Sequence, residues 1–183
     1  MNLWFRLLHL IVASFFRPRL DPTADASRLD FRVWPPDLDT SMHMNNGRYW
    51  TLMDLGRADL IIRSGLWSAV LRHRWAPIVN AAKIRFRREL TLFRRFRIET
   101  RIVAWNETFI IMEHRVLTTG RSGREILAAV ALARTGLYDR RAKSFVPIAR
   151  LFAEIGLAAV ASPEPTPEIA AFLAADEALR QAA

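Results

Sequence analysis

The feature that most constrains the fold is one long apolar helix. Residues 47–65 place apolar or small side chains, among them Tyr49, Leu52, Met53 and Leu60, at the i, i+3, i+4, i+7 spacing of a buried helix face. Further apolar residues fill the positions between them, so the helix must be largely buried. A β-sheet is broad enough to cover a helix of this length, and we expect a sheet to wrap around it.

Alternating sequence patterns predict that sheet. Apolar and polar residues alternate with the period of a half-buried strand, and turn sequences separate the last three runs. The predicted strands lie at about 29–33, 84–86, 98–104, 110–116 and 126–138. A strand, a buried helix and a run of antiparallel strands, in that order, predict the α+β class.

The sequence divides into three segments. Residues 1–19 are predicted to form an apolar and basic N-terminal helix, residues 20–148 the main domain and residues 149–183 a helical tail. We expect two short helices in the tail, packed outside the sheet. The second is expected to start at Thr166-Pro167, since threonine is a good helix cap and proline fits the first helical position.

The N-terminal segment admits two interpretations. Its apolar stretch is interrupted by Arg6 and His9 and closed by Arg17 and Arg19, and it is shorter than the roughly 20 residues that a membrane-spanning helix needs. It has no small-residue cleavage site of the signal-peptide kind, so we do not expect secretion. Residues 1–19 either lie in a membrane interface with their arginines at anionic lipid, or dock on an apolar patch of the domain or of a partner subunit.

Composition excludes several kinds of site. The chain has no cysteine and its four histidines lack metal-ligand spacing, so we expect no metal site and no cysteine nucleophile. Lys83 and Lys143 are the lysines among 27 basic residues, the other 25 are arginine, and the net charge is +9. This excess fits an anionic partner, or it reflects genomic base composition alone. We expect no nucleic-acid partner, because no nucleic-acid-binding motif accompanies the charge.

A polar loop that opens onto the long helix is the most informative part of the chain. From Asp37 to Tyr49 it reads DLDTSMHMNNGRY. A helix N-terminus presents unpaired N–H groups and a positive dipole end, which suits a developing oxyanion, and a nearby carboxylate can attack a carbonyl or activate a water. This arrangement fits acyl transfer or thioester hydrolysis. On the residues alone, the aspartates are equally turn formers, Asn45 or Asn46 a helix cap, and His43 a buried hydrogen-bonding residue.

The same loop resembles a family signature. The pattern D-x-D-x-x-x-H-x-N-N-x-x-Y, followed by an acid and an arginine, is similar to that of hotdog-fold acyl-CoA thioesterases of the 4-hydroxybenzoyl-CoA thioesterase type. The resemblance covers about residues 29–147 and is nearest to the THEM-six-like branch. It implies the hotdog fold, an antiparallel sheet wrapped around one long central helix, here with extra N- and C-terminal helices.

The resemblance implies roles for five residues of the loop. Asp39 matches the catalytic residue that acts as nucleophile or general base on the thioester carbonyl. Asn46 matches the position whose backbone N–H polarises that carbonyl. His43, Asn45 and Tyr49 are the expected substrate-binding residues. The first two match loop residues that shape the pocket, and the third matches a residue that packs the start of the helix.

The helix carries two charged pairs and a glycine. Asp54 with Arg57 and Asp59 with Arg63 are spaced to pair on its wetter side, and the first pair matches the family's helix acid and arginine. Gly56 costs a helix interior about 1 kcal/mol relative to alanine. It indicates close approach of sheet backbone or of an acyl chain, unless it is an ordinary helix glycine. If the approach is close, leucine at position 56 overpacks the site and destabilises the fold, whereas alanine is expected to cost little stability.

The resemblance also implies a homodimer or a dimer of dimers. Hotdog sheets join edge to edge, and the partner subunit lines the acyl tunnel and supplies arginines to the phosphates of CoA. Six arginines are candidates for this role because they lie close together in the sequence: Arg85, Arg87, Arg88, Arg94, Arg95 and Arg97. The alternative is that they are solvated residues at strand edges. The position before His43 is often glycine in the family and is Met42 here, which we expect to alter the loop or narrow the entry.

The expected function is hydrolysis of an acyl-CoA to free acid and CoA, with no metal or organic cofactor. The alternative is a non-catalytic hotdog protein that binds an acyl thioester or a lipid at a membrane surface. A hotdog dehydratase fits less well, because its histidine and helix-acid arrangement is not evident. We expect a cytoplasmic protein, with peripheral contact at the inner membrane face if residues 1–19 lie in the interface.

Overall fold

The computed structural model describes residues 3–120, 122–157 and 160–182. Within these ranges it has five α-helices and six strands. The helices are α1 (Leu3–Ser14), α2 (Asn46–Arg63), α3 (Leu66–His73), α4 (Ile148–Glu154) and α5 (Pro167–Gln181). The strands are β1 (Ser27–Arg32), β2 (Trp75–Phe86), β3 (Arg95–Trp105), β4 (Ile110–Thr119), β5 (Glu125–Asp139) and β6 (Ser144–Phe145).

The strands form one antiparallel sheet in the order β1-β3-β4-β5-β2, with the short β6 beside β5. The three central strands are those with the longest alternation in the sequence. β2 is much longer than the alternation at 84–86 predicts. Pro77 and a register shift between Val79 and Ala81 interrupt its pattern, so the first half of this strand has no period of two.

The long helix α2 packs against the inner face of the sheet, as the sequence predicts. Leu52 and Met53 are fully buried and share one core cluster with Ile98 of β3 and Val116 of β4. Leu60 belongs to a second cluster nearer the end of the helix. Burial of this kind contributes roughly 1.5–3 kcal/mol for each large aliphatic side chain.

The predicted ion pair at the end of α2 lies inside the protein and not on its wetter side. Asp59 is fully buried, and Arg63 Nη1 lies 3.2 Å from its Oδ2. Ser27 of β1 donates a hydrogen bond of 2.7 Å to Asp59 Oδ2. Ser14 donates one of 3.3 Å to Oδ1, and Arg17 Nη1 lies 3.4 Å from the same oxygen. Asp59 therefore connects α2 to β1 and to the end of α1.

Gly56 is the point at which α2 comes closest to β3. A Cβ built on Gly56 would overlap Thr100 Oγ1 and would lie 3.1 Å from Thr100 Cβ. The predicted close approach is therefore correct, but its partner is a side chain. The expectation that alanine is mild at this position is not tested, but the fully buried Thr100 has little room to move, so the structure predicts that alanine destabilises as well.

The N-terminal helix α1 docks on the domain with one face and exposes the other. Arg6, Leu10 and Ser14 form its buried face, and α1 packs against α2. Six apolar residues between 52% and 86% exposed lie on or just after the helix: Trp4, Phe5, Leu8, Val12, Phe15 and Phe16. Of the two interpretations of this segment, docking on the domain is correct for the buried face.

The helices of the C-terminal tail pack in different places. α5 starts at Pro167 with Thr166 at its cap position, as predicted, and its Phe172 packs with Ile111 on the outer face of the sheet. α4 does not lie outside the sheet. Its Leu151 belongs to the inner core cluster around Leu60, where α4 and α3 close one end of the core.

Candidate functional site

A buried aspartate holds the polar loop in place. The side chain of Asp37 is fully buried, with Arg6 Nη2 2.6 Å from Oδ2 and Arg48 Nε 3.0 Å from Oδ1. The backbone N–H of Trp34 donates to Oδ2 at 2.9 Å, and the Asp37 carbonyl accepts the N–H of Asn45 at 2.8 Å. Asp37 therefore fixes both ends of the loop, and its carboxylate faces protein groups on all sides.

The loop itself is a tight hairpin. Leu38 and Met44 form an antiparallel bridge, and the N–H of Asp39 donates to the carbonyl of His43 at 2.9 Å. The carboxylate of Asp39 accepts the N–H of Ser41 at 2.9 Å, and the side chain stays partly accessible. The hairpin thus places Asp39 opposite His43, a few residues before the start of α2.

Met42 occupies the turn of this hairpin with left-handed backbone geometry. Its φ is 61° and its side chain is largely exposed. Glycine adopts this region without steric cost, whereas another L-residue pays about 1–2 kcal/mol. The hairpin therefore keeps a glycine-type turn although a methionine stands there.

The start of α2 presents one free N–H group. Asn45 is the cap residue, and its Oδ1 accepts the N–H of Gly47 at 2.8 Å, while its carbonyl accepts the N–H of Arg48 at 2.9 Å. Asn46 is the first helical residue, and no acceptor among the described residues takes its N–H. This donor lies at the positive end of the helix dipole and is open to a ligand.

The other two expected substrate-binding residues are held differently. His43 Nε2 lies 3.0 Å from Glu89 Oε2, and this pair stays partly exposed at the edge of the loop. Tyr49 is almost fully buried, and its ring meets that of Phe86 edge to face at 5.0 Å. Burial, and secondarily the charge of Glu89, raises the pKa of Tyr49 to about 12. The loop thus brings together Asp39, His43, Asn45 and Asn46, whereas Tyr49 packs below the loop.

The sequence did not predict a buried polar cluster halfway along α2. His114 of β4 is fully buried, its Nδ1 lies 2.9 Å from Thr100 Oγ1, and its Nε2 lies 3.0 Å from Arg57 Nη1. Arg57 also pairs with Asp54 one turn earlier. The sequence signal for this cluster is the position of His114. In the alternation of apolar and polar residues along β4, His114 falls on the side that faces inward.

The candidate phosphate-binding arginines divide between two cavities. Arg95 and Arg97 line a cavity of about 570 Å³, the Arg95 cavity, together with Arg6, Arg32 and Trp34. Arg85 and Arg87 line another of about 860 Å³ on the outer face. Arg88 and Arg94 line neither cavity. Arg97 is already engaged by Asp30, whose hydrogen bond and charge raise the pKa of Arg97.

Two features common in other sites were not found in the described ranges. Across residues 3–120, 122–157 and 160–182, no three His, Asp or Glu side chains converge as metal ligands would. Within the same ranges, each helix is too short or too polar to cross a bilayer.

Comparison with known proteins identifies the family. The family model described as the thioesterase-like superfamily matches residues 33–173. The chain belongs to this superfamily. Protein THEM6 of Danio rerio is 34% identical over 136 residues, which are 73% of this chain and 65% of that protein. Protein THEM6 of Xenopus laevis is 37% identical over 83 residues, or 45% of this chain and 40% of that protein. This chain thus matches less than two thirds of the length of either relative.

Solved structures establish the fold. The 4-hydroxybenzoyl CoA thioesterase of Pseudomonas sp. strain CBS-3 superposes with a TM-score of 0.62 at 17% identity, over 72% of this chain and 99% of that one. The DHNA-CoA thioesterase of Staphylococcus aureus superposes with a TM-score of 0.60 at 12% identity, over 85% and 93%. The α+β hotdog fold predicted from the sequence is confirmed.

Proposed function

We propose that the protein hydrolyses an acyl-CoA thioester to a free acid and CoA. The observation that carries the proposal is the free N–H of Asn46 at the start of α2, placed beside a hairpin that presents the carboxylate of Asp39. The membership of the thioesterase-like superfamily supports the same reaction class. The hairpin is held by the buried Asp37, so the carboxylate and the N–H keep a fixed relation to each other.

In the proposed reaction, Asp39 accepts a proton from water, and the hydroxide adds to the thioester carbonyl carbon. The N–H of Asn46 donates to the resulting oxyanion, where the helix dipole adds further stabilisation. When the intermediate collapses, the C–S bond breaks and the thiolate of CoA takes up the proton. Removing one such oxyanion donor typically costs about 3–4 kcal/mol of transition-state stabilisation. In the direct alternative, the Asp39 carboxylate attacks the carbonyl carbon, the C–S bond breaks and CoA leaves as the thiolate, which is then protonated. Water hydrolyses the resulting anhydride to the free acid and restores the Asp39 carboxylate.

The test is release of free thiol from a panel of acyl-CoAs, followed with a thiol reagent. We expect turnover by the wild type and its loss in Asp39→Asn. Asp25→Asn is the matched control, because Asp25 is an exposed aspartate in a turn far from the loop. A folded Asp39→Asn protein with unchanged turnover would contradict the role of Asp39. A wild type without turnover on any ester would contradict the proposal as a whole.

We infer that the Arg95 cavity receives the phosphates of CoA. It is lined by Arg6, which also pairs with the buried carboxylate of Asp37 in the polar loop. Arg32 and Arg95 have no ion pair with a described residue, so their charges are available to an anion. Arginine suits this task, because its planar fork matches phosphate geometry.

We infer further that the protein is a homodimer built through β2. One side of this 12-residue strand is bonded to β5, and no strand of the described residues pairs with the other side, which is an open edge. Long open edges favour pairing with another chain. The opposite edge, β1, has six residues. Light scattering should give twice the mass of one chain, and a monomer at micromolar concentration would contradict the inference.

The second candidate function is binding of an acyl thioester or a lipid at a membrane surface. The exposed apolar face of α1 favours it, because exposed aromatic residues flanked by arginines suit an interface of anionic lipid. Co-sedimentation with anionic vesicles should weaken when Phe15 and Phe16 are both changed to serine. Leu179→Ser is the control, since Leu179 is equally exposed on α5. Equal co-sedimentation of both variants and the wild type would exclude a membrane role of this face.

A further inference from the structure

A polar cavity of about 400 Å³ lies at the end of α1, and we call it the Arg115 cavity. Five arginines from the segment after α1, from α2 and from three strands line it: Arg17, Arg28, Arg63, Arg101 and Arg115. Asp25 and Glu99 are the acidic residues among those that line it. Arg6, which pairs with the polar loop, and Ser14, where α1 ends, are eight residues apart, or about 12 Å along the helix. The Arg115 cavity therefore lies at the opposite end of α1 from the polar loop.

Three residues that face one another across the sheet leave one cation without a partner. Glu99 of β3 is in register with Arg28 of β1 on one side and with Arg115 of β4 on the other. Arg28 Nε lies 3.1 Å from Glu99 Oε1, whereas no carboxylate of the described residues lies within ion-pair distance of Arg115. Two guanidinium groups thus flank one carboxylate, and the charge of Arg115 is available to an anion.

The other arginines of the cavity have carboxylate partners. Arg17 Nη1 and Arg63 Nη1 lie 3.4 Å and 3.2 Å from the single carboxylate of Asp59, and Arg101 Nη2 lies 2.7 Å from Glu113 Oε1. With these partners included, the five arginines face four carboxylates: Asp25, Asp59, Glu99 and Glu113. One positive charge remains, and it matches the single negative charge of a phosphodiester.

Exposed apolar side chains lie next to this charge. Phe15 and Phe16 directly precede Arg17 in the chain and are 77% and 86% exposed. A ligand with its phosphate in the cavity can therefore extend a hydrocarbon chain along these two rings. A phospholipid carries both parts in one molecule, whereas a free phosphate has no part that would use the rings. Aromatic residues beside arginines also suit the interfacial zone of a bilayer.

We propose that the Arg115 cavity binds the phosphodiester headgroup of an anionic phospholipid. Arg115 donates to the phosphate oxygens, for which its planar fork is suited. The proposal rests on the second candidate function, which assigns the exposed face of α1 to a membrane, and it adds a site that selects the headgroup. A phosphocholine headgroup carries a further cation, which the arginines of the cavity repel.

The test is co-sedimentation with vesicles that contain equal parts of phosphatidylglycerol and phosphatidylcholine, compared with vesicles of phosphatidylcholine alone. We expect the wild type to bind the mixed vesicles at least about tenfold more tightly. Arg115→Gln should weaken binding to the mixed vesicles about tenfold, the effect of one charge-assisted hydrogen bond. Because Arg115 is exposed and has no carboxylate partner among the described residues, this variant should fold.

Arg85→Gln is the matched control. It removes the same charge from another exposed arginine, which does not line the Arg115 cavity. Arg85 and Arg115 both line the cavity of about 860 Å³ on the outer face. Equal weakening in both variants would therefore indicate that outer cavity or a general attraction by the net charge, and it would overturn the proposal.

A variant of opposite sign tests the same cavity. Glu99→Gln removes the carboxylate between Arg28 and Arg115, so the mixed vesicles should bind several-fold more tightly. Glu107→Gln, at an exposed position in a turn, removes the same charge elsewhere and should change binding little. Binding by Glu99→Gln that is no tighter than binding by Glu107→Gln would contradict the proposal.

A competition experiment separates a lipid headgroup from a free phosphate. Glycerophosphoglycerol, the soluble headgroup, should displace the wild type from mixed vesicles at a lower concentration than inorganic phosphate does at the same ionic strength. Equal displacement by the two would assign the cavity to a free phosphate and overturn the lipid proposal.

The variant with serine at both Phe15 and Phe16 distinguishes this proposal from the second candidate function. If the wild type binds both kinds of vesicle equally and the serine variant does not bind, only the headgroup site is overturned. Binding that depends on Arg115 but not on the two phenylalanines would overturn only the membrane role of the α1 face. No co-sedimentation of the wild type with either kind of vesicle would overturn both.

Discussion

Arg6 Nη2 lies 2.6 Å from Asp37 Oδ2, and through this pair the first helix is fixed to the loop that carries Asp39. Both side chains are nearly fully buried. Arg6 Nη1 and Asp37 Oδ1 have no hydrogen-bond partner among the described residues, although Oδ1 lies near Arg48. A buried pair of this kind does not guarantee net stability, but removing one partner leaves the other charge uncompensated.

Arg6→Met should therefore destabilise the fold. Methionine retains much of the apolar packing of the arginine stem, but it leaves the Asp37 carboxylate with one cation, Arg48, and the Trp34 N–H. We expect a loss of about 3 kcal/mol in the free energy of unfolding, the lower end for breaking a buried pair, measured by urea denaturation. Arg19→Met, at an exposed position, is the control and should change stability little. Equal stability of both variants would mean that the pair does not anchor α1.

Removal of residues 1–19 has a related consequence. It deprives Asp37 of Arg6, and it deprives Asp59 of Ser14 and Arg17. The truncated protein should therefore unfold at lower urea concentration than Arg6→Met. Vesicle binding is better tested with the Phe15 and Phe16 substitutions, which leave these buried contacts in place.

Side-chain periodicity predicts those parts of the fold whose burial follows a helix or strand period. α2, β3, β4 and β5 meet this condition. The first half of β2 does not, because Pro77 and the register shift near Ala81 interrupt the alternation. Helix α3 follows α2 directly after the left-handed Gly65, and the apolar pattern runs on across the break.

The candidate site is predictable where its residues lie close together in the chain. Asp39, His43, Asn45 and Asn46 share one short motif, so a single segment identifies them. One of the two cationic partners of Asp37, Arg6, is 31 residues away on α1, and no local sequence pattern can predict that contact. The same holds for Asp59. Its charge predicted a solvent-exposed position, but its partners outside α2 come from two other segments, the end of α1 and β1.

Gly56→Ala should cost about 1–3 kcal/mol, because the added methyl group overlaps Thr100 Oγ1. Thr100→Ala also destabilises, since His114 loses a hydrogen-bond partner. In the double variant the overlap is gone, so the two losses should not add. We expect a coupling energy of about 1 kcal/mol or more from thermal or urea unfolding of all four proteins. Simple additivity would show that Gly56 and Thr100 are not in contact.

His114 should make stability depend on pH. Its pKa is lowered to about 3 in the folded state from an ordinary value of 6.5, so the unfolded chain binds the additional proton between these values. The free energy of unfolding should fall as pH is lowered from 6.5 towards 3, by at most about 1.4 kcal/mol per pH unit from this group. The His114→Gln variant should lose the part of the pH dependence of the free energy of unfolding that His114 contributes. His9→Gln, at an exposed position, should retain it, and equal slopes in both variants would contradict the burial of a neutral ring.

Arg95→Gln should weaken the binding of CoA esters and not the chemistry. If the Arg95 cavity receives phosphates, KM for an acyl-CoA should rise about tenfold, and kcat should stay close to that of the wild type. The same acyl group on pantetheine, which lacks the nucleotide phosphates, should show no change in KM. Arg85→Gln serves as the control from the other arginine-lined cavity. A parallel rise in KM for both substrates would place the phosphates elsewhere.

Met42 permits a test of the hairpin that presents Asp39. Its φ of 61° lies in the left-handed region, where a β-branched side chain is disfavoured more strongly than an unbranched one. Met42→Val should therefore cost about 1–2 kcal/mol. Met42→Gly should be neutral or slightly stabilising, since relief of the backbone strain offsets the greater freedom of glycine in the unfolded chain. Because the side chain is 61% exposed, loss of packing contributes little to either value. Urea unfolding of the two variants measures the difference, and a glycine variant less stable than the valine variant would show that the turn does not require left-handed geometry.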